Sequence, residues 1–182
     1  MAAAVAHLRR SAPLAAVTAL ALLGAAPQAA IARHCHNASA NPNSGSIRAA
    51  QRATLCLINN RRRHQGLRPL RENRRLTRAS ARHARDMARH NYFAHGNFVG
   101  RIRAAHYFRG ARSWYVGENI AWGAGRYARP AATVRMWMNS PPHRHNILSR
   151  GFREIGLGIA RGAPVSGVPG GATYATDFGA RG

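Results

Sequence analysis

Two histidines and one glutamate are the residues of this chain whose types and surroundings could do chemistry. His143 lies in the segment NSPPHRHNIL, directly after a Ser-Pro-Pro turn and two residues before a second histidine, His145. His95 lies in YFAHGN, and Glu118 lies in VGENIAWG, the most apolar stretch after the first 32 residues. A carboxylate buried in such a stretch needs polar partners, and histidines are natural candidates.

Imidazole and carboxylate groups support two kinds of chemistry. Neutral imidazoles bind divalent metals such as zinc, and two or three protein ligands leave positions open for water or substrate. The same groups can act as acid and base in hydrolysis. We expect His95 and His143 on loops, where functional residues concentrate. On spacing alone, a site shared with Glu118 and three unrelated polar residues at loop ends both remain open.

The chain is strongly basic. Its 182 residues suit one domain with a hydrophobic core, and 28 basic residues against 5 acidic ones give a formal net charge of +23. All 28 basic residues are arginine, which indicates that GC-rich codon usage is part of the cause. The charge still predicts attraction to polyanions such as acidic cell-wall polymers and lipid head groups. Because no known DNA- or RNA-binding motif accompanies it, a specific nucleic-acid function is not predicted.

The first 32 residues are typical of a secretory signal. A basic segment ending at Arg10 precedes the apolar run PLAAVTALALLGAA, and AIA at residues 30–32 is a small-x-small cleavage site. The run is short for a transmembrane helix, although an uncleaved N-terminal anchor is the alternative. No second hydrophobic span follows, so we expect the mature chain to begin near Arg33 and to be secreted or held at the cell envelope.

The two cysteines, Cys35 and Cys56, both follow the predicted cleavage site. Export places them in an oxidising compartment, where an even count favours one disulfide. Such a bond would tie the N-terminal arm to the first helix and close a loop of about 20 residues, which stabilises a fold by roughly 3 kcal/mol. The alternative is two free thiols, with Cys56 buried in a helix.

Helices precede strands in the predicted order of elements. Ser46 and Asn73 are predicted N-caps of two helices, and SWYVGENIAWG is predicted to be an extended segment bent at Gly117. Pro130 suits the start of a further helix, which the prolines at 141–142 end. EIGLGIA and TYATDFG are typical of strands and predict an antiparallel hairpin. Without regular βαβ alternation, the pattern favours an α+β fold with helices packed on an antiparallel sheet.

Five segments occur in the order found in a bacterial CAP domain. They are LINNRRRHQGLRPL, YFAHG, GENIAWG, WMNSPPHRHNIL and EIGLGIA…YATDFG. The chain therefore resembles the superfamily of cysteine-rich secretory proteins, insect venom antigens and plant pathogenesis-related proteins of class one. The resemblance covers residues 52–179, after a signal peptide at 1–32 and, at 33–51, a flexible arm with the start of the first helix. It implies a three-layer α-β-α sandwich with a small antiparallel sheet.

The resemblance also implies a central cleft lined by two histidines and acidic residues. By motif, His95 is the first histidine, Glu118 is the glutamate of the GEN motif, and His143 is the second histidine. His145 is expected to be a local structural or surface residue. The second glutamate of many animal members would follow Trp137, where this chain has no acid. The implied site is thus a triad at most, which favours metal or ligand binding over two-carboxylate catalysis.

The function that the resemblance implies is a binding function more than an enzymatic one. Some family members bind zinc through the two cleft histidines, so His95 and His143 are the candidate zinc ligands, but the family as a whole has no established activity and the fold does not decide. We expect a secreted, monomeric protein that binds a small ligand, a lipid or an envelope polymer.

One alternative is a metal-assisted peptidase or esterase, whose catalytic candidates are His95, Glu118 and His143. There Ser140 would be a nucleophile, although a capping or turn role fits it better. The other alternative is a basic protein that binds envelope polyanions.

Overall fold

The computed structural model describes residues 33–182, and the predicted signal segment at 1–32 lies outside them. The described residues form α1 (Ile47–His64), β1 (Arg71–Glu72), α2 (Arg74–His90), α3 (Phe98–Ala104), β2 (Trp114–Ala124), α4 (Pro130–Asn139), α5 (Pro141–Leu148), β3 (Glu154–Arg161) and β4 (Gly171–Arg181). A short 3-10 helix, Gly125–Ala128, leads into α4. None of the helices within 33–182 is long and apolar enough to cross a membrane.

The four strands form one sheet in the order β1-β3-β4-β2. β4 pairs antiparallel with both β2 and β3, whereas the two-residue β1 pairs parallel with β3 at the edge. The predicted α+β class is confirmed, and so is the hairpin of β3 and β4. The sheet is mixed rather than purely antiparallel, because the short strand β1, which lies between α1 and α2, runs parallel to β3.

One face of the sheet packs against α1, α4 and α5. This layer is the largest apolar cluster of the described chain, and its fully buried side chains include Ile58, Trp137, Ile147, Tyr174 and Phe178. Burying side chains of this size stabilises a fold by about 1.5–3 kcal/mol each. The Trp137 indole also donates a hydrogen bond to the carbonyl of β2 residue Ile120 at 3.1 Å, so α4 is held directly against the strand that carries Glu118.

The opposite face packs closely against α2, completing the three layers. A Cβ added at Gly156 would lie 2.1 Å from the carbonyl carbon of Leu76, and one at Gly158 would lie 2.2 Å from the carbonyl carbon of Ser80. Only glycine allows a helix backbone to approach a strand so closely. The two glycines therefore bring the polar residues of α2 within reach of the side chains on β2 and β4.

The strand β2 is unbroken, so the predicted bend at Gly117 is wrong. Gly117 pairs with Phe178 in a continuous ladder. A Cβ added at Gly117 would lie 2.9 Å from the Phe152 ring and 3.1 Å from the Asn146 side chain. The glycine is therefore required for packing against α5 and the loop after it, and the neighbouring residue Glu118 keeps regular strand geometry.

The helix caps and the disulfide follow the predictions. The Ser46 hydroxyl accepts a hydrogen bond from the first turn of α1, and the Asn73 side chain accepts two in the first turn of α2. Cys35 and Cys56 form a disulfide with a Cα–Cα distance of 5.7 Å. The arm before α1 also reaches the far end of the hairpin, where the Asn43 amide donates to the carbonyls of Gly170 and Gly171.

Candidate functional site

Glu118 is the centre of the candidate site. Its side chain is 1% exposed and projects from β2 opposite Asp177 of β4. One carboxylate oxygen, Oε1, lies 2.8 Å from His95 Nδ1, and the other, Oε2, lies 2.7 Å from Arg101 Nη2. The structure thus places His95 and Glu118 in contact, and it adds a guanidinium that compensates the buried charge.

Arg101 and His83 fix the loop that carries His95. Arg101, on α3, also donates to the His95 carbonyl at 2.7 Å. His83, on α2, is buried with its Nε2 3.0 Å from the Ala94 carbonyl and 3.9 Å from Glu118 Oε2. A carbonyl only accepts, so this Nε2 carries the proton. Burial is the main effect that lowers the pKa of His83, and the ring is therefore neutral at neutral pH.

Asp177 supplies a second carboxyl group that the sequence analysis did not place in the site. It is 1% exposed, and its Oδ2 lies 2.8 Å from the Ser80 hydroxyl of α2. Burial, followed by the charge of Glu118, raises the pKa of Asp177 to about 8. Its Oδ1 has no hydrogen-bond partner among the described residues. The second carboxyl therefore comes from β4, on the side of the sheet covered by α2, and not from α4.

His143 lies in the first turn of α5, so the prediction of a loop there is wrong. Pro141 and Pro142 occupy the first helical positions, where a missing N–H costs nothing, and they start this helix as well as ending α4. His143 Nδ1 lies 2.8 Å from the Ser140 hydroxyl, which makes no capping bond to α5. Burial, followed by the nearby His95, lowers the pKa of His143. The two cleft imidazoles are thus close enough to influence each other.

Three polar side chains hold α5 in place against the rest of the site. Asn146 donates to the Glu118 carbonyl at 3.1 Å and to the Asn119 side chain at 2.9 Å, and Asn119 donates to the His143 carbonyl at 3.0 Å. Arg62 of α1 is fully buried and donates to two carbonyls at the C-terminal end of α5 at 2.8 and 2.9 Å. Cations are favoured there, because the last helical carbonyls are unpaired and carry partial negative charge.

The two cleft histidines have the donor chemistry of an open metal site. An ionised carboxylate only accepts hydrogen bonds, so His95 donates from Nδ1 to Glu118 and keeps the lone pair of Nε2, as metal-binding histidines commonly do. When His143 donates from Nδ1 to Ser140, its Nε2 lone pair is also free. No set of three or more His, Cys, Asp or Glu residues within 33–182 is placed to hold a metal, so these two rings would be its protein ligands. His145 is exposed on α5.

Sequence comparisons agree with this fold. Residues 55–175 match the model of the CAP family, described as the cysteine-rich secretory protein family. The chain is 32% identical over 125 residues to the Bacillus subtilis protein YkwD, and 30% identical over 118 residues to the B. subtilis membrane protein YlbC. These matches cover 66% and 62% of this chain but only 46% and 32% of the relatives, so the chain spans less than half the length of either.

Solved structures show the same architecture. An extracellular protein of Bacillus anthracis that contains an SCP domain superimposes with a TM-score of 0.57 at 26% identity, covering 72% of this chain and 40% of that one. A cysteine-rich secretory protein of Staphylococcus aureus superimposes with a TM-score of 0.56 at 19% identity, covering 76% and 38%. An outer surface protein of Borrelia burgdorferi gives 0.55 at 19%, covering 69% and 87%. The two pairs at 19% show a shared fold alone. Because the family model matches most of its length, the chain belongs to the cysteine-rich secretory protein, or CAP, family.

Proposed function

We propose that this protein is a secreted binding protein that holds a divalent metal or a small ligand between His95 and His143. The observation that carries the proposal is the contact of Glu118 with His95 Nδ1 at 2.8 Å. It fixes the tautomer that leaves His95 Nε2 available to a metal such as zinc. The lowered pKa of His143 supports the proposal too, because a neutral ring is the form that binds metal.

The surroundings of Glu118 favour binding over catalysis. Both of its oxygens are already engaged, one by His95 and the other by Arg101. A general base must instead present a free oxygen or nitrogen to the proton it removes. Glu118 therefore orients His95 and compensates the charge of Arg101, while the rings of His95 and His143 hold the ligand.

A location outside the cell follows from three supports. The first 32 residues are typical of a signal peptide, and the disulfide between Cys35 and Cys56 suits an oxidising compartment. The solved structures include an extracellular protein that is 26% identical to this chain. We place the cleft at the cell envelope or beyond it, where a small ligand, a lipid or a unit of an envelope polymer would be its partner.

Zinc titration by calorimetry tests the proposed cleft. We expect one zinc ion per chain, with binding lost in His95→Ala and in His143→Ala, and weakened by about 10- to 100-fold in Glu118→Gln because the orienting charge is removed. His145→Ala is the matched control, since this exposed histidine lies on the same helix as His143. An equal loss in the control, or undiminished binding in His95→Ala, would contradict the proposal.

One observation favours a second candidate function, metal-assisted hydrolysis of peptide or ester bonds. The Ser140 hydroxyl lies 2.8 Å from His143 Nδ1, which is the spacing at which an imidazole can activate a nucleophile. In that role Nδ1 accepts the serine proton and Nε2 carries the ring hydrogen, so His143 acts as the base and does not hold the metal. Turnover of a peptide or ester library that a chelator abolishes, and that Ser140→Ala lowers by at least about 100-fold, would establish it. Zinc binding without turnover would leave the binding function alone.

A further inference from the structure

A cavity of about 840 Å³ lies away from the candidate site, and none of His95, Glu118 and His143 lines it. We call it the arginine cavity, because five of its eleven lining residues are arginine, against 28 of 182 in the chain. That is about three times the proportion expected from composition, so the high arginine content of the chain does not account for it. The five are Arg68, Arg71, Arg109, Arg153 and Arg181.

The negative charge in the lining is already used. Glu154 is its one acidic residue, and its Oε2 accepts hydrogen bonds from the Tyr107 hydroxyl at 2.7 Å and from Arg181 Nε at 3.4 Å. Its Oε1 accepts from the Asn73 amide at 2.7 Å. Among the described residues, the other four arginines of the cavity form no ion pair, so no carboxylate lies within ion-pair distance of their guanidinium groups.

The four unpaired arginines come from separate parts of the chain. Arg68 and Arg71 lie between α1 and α2, Arg109 follows α3, and Arg153 directly precedes β3. Arg71 is placed by the pairing of β1 with β3, and Arg153 Nη1 is held by the Phe152 carbonyl at 3.1 Å. The fold thus gathers like charges around one space, an arrangement that is unfavourable until an anion occupies it.

We infer that the arginine cavity binds a ligand that carries two or more phosphate groups and is about the size of one sugar unit. Guanidinium groups bind phosphate through paired, planar hydrogen bonds. The volume lies within the range of about 300–1,000 Å³ that is typical of small-molecule sites, and the exposed Pro69 in the lining offers apolar contact to a sugar ring. This binding is independent of the histidine cleft.

Calorimetry with two defined probes, inorganic tripolyphosphate and glucose 1,6-bisphosphate, tests the inference on the protein secreted from the full chain. We expect both to bind with one site per chain at about 50 mM salt. The double variant Arg71→Gln, Arg109→Gln should weaken binding by about 10- to 100-fold, because each lost charged hydrogen bond contributes about tenfold. Zinc titration of the same variant should be unchanged.

The matched control is Arg82→Gln, Arg85→Gln, which removes the same charge from the exposed face of α2. Its affinity for the probes should stay within about threefold, the change expected from long-range charge alone. An equal loss in both double variants would show attraction to the surface in general and would overturn the inference. So would the absence of binding by both probes.

Discussion

Glu118 and the arginines of the arginine cavity carry their charges in opposite surroundings. Glu118 is buried, and each of its oxygens has a cationic or imidazole partner within 2.8 Å. Arg68, Arg71 and Arg109 are exposed at the rim of a wide space, and no carboxylate of the described residues pairs with them. The charge of Glu118 is therefore balanced by contacts within the protein. The charges of the cavity arginines are balanced by solvent, counterions or a bound ligand.

The difference shows how this fold tolerates a large charge excess. A buried charge is costly unless it is paired and hydrogen-bonded, and the Glu118 carboxylate meets both conditions. Two of the five, Glu118 and Asp177, lie side by side in the core of the site. Exposed arginines cost little in water, so most of the excess lies on the surface. The comparison predicts large stability effects at the cleft and small ones at the arginine cavity.

The largest effect is expected for Glu118→Ala. Removing the buried carboxylate leaves the partly exposed Arg101 and the half-exposed His95 without their acceptor, and we expect the free energy of unfolding at pH 7 to fall by about 3 kcal/mol. Urea denaturation measures it. The exposed Glu72→Ala should change the same quantity by less than about 0.5 kcal/mol, and comparable losses in the two variants would remove the distinction between the regions.

A second effect compares arginine with arginine. Arg62 is 1% exposed and donates to three carbonyls, so Arg62→Gln should lower the free energy of unfolding by about 2–3 kcal/mol. Arg71→Gln, at the cavity, should lower it by less than about 0.5 kcal/mol. Urea midpoints of the two variants test this, and a larger loss in Arg71→Gln would mean that the cavity arginine has a structural partner.

The third prediction concerns the pH dependence of stability. The folded state raises the pKa of Asp177 from 3.8 to about 8, so the folded chain holds a proton that the unfolded chain releases. The contribution of Asp177 to the free energy of unfolding is therefore at its maximum below about pH 4 and is lost as the pH rises toward 8. Asp177→Asn removes the loss. Its free energy of unfolding relative to wild type should increase by about 1–3 kcal/mol between pH 5 and pH 7.

Asp86→Asn provides a control of opposite sign. The hydrogen bond from Tyr92 is the main effect that lowers the pKa of Asp86, so its contribution to stability is present at neutral pH and is lost as the pH falls through the acid range. Relative to wild type, this variant should become less stable as the pH rises from 3 to 5. A constant difference in the free energy of unfolding between Asp177→Asn and wild type across the neutral range would contradict a protonated Asp177.

The smallest expected effect is a difference in salt dependence between the two binding sites. Phosphate binding at the arginine cavity should weaken about tenfold or more between 50 and 200 mM salt, because counterions compete for exposed guanidinium groups. Zinc binding at His95 and His143 should change by less than about twofold, since neutral imidazoles bind it. Titrations at both salt concentrations measure the two affinities. An equal dependence of the two affinities on salt would contradict the distinction between the sites.

The sequence predicts Glu118 and His95 as partners better than it predicts the remainder of the site. A carboxylate in an apolar stretch requires partners wherever it lies, and that requirement is local. Arg101 is one of 28 arginines and has no distinguishing neighbour in sequence. Asp177 lies in a strand typical of the fold, but its contact with Glu118 depends on the register of β2 against β4, which sequence does not specify.

The helix α5 shows the same limit in local structure. Two consecutive prolines predict the end of α4, and they equally suit the start of another helix. Only tertiary contacts decide between these outcomes. Here Arg62 bonds to α5, and Asn146 of α5 bonds to the Glu118 carbonyl of β2, so the eight residues form a helix held against the strand that carries Glu118.

The contacts of the N-terminal arm have a consequence for the order in which the protein folds. Asn43 bonds to residues 127 and 128 positions later, and Pro42 accepts a hydrogen bond from Arg161, 119 positions later. The arm can therefore complete its native contacts only after nearly the whole chain has been synthesised. Contacts so distant in sequence slow folding. The disulfide spans only 21 positions, so it can anchor the arm to α1 before the hairpin of β3 and β4 forms.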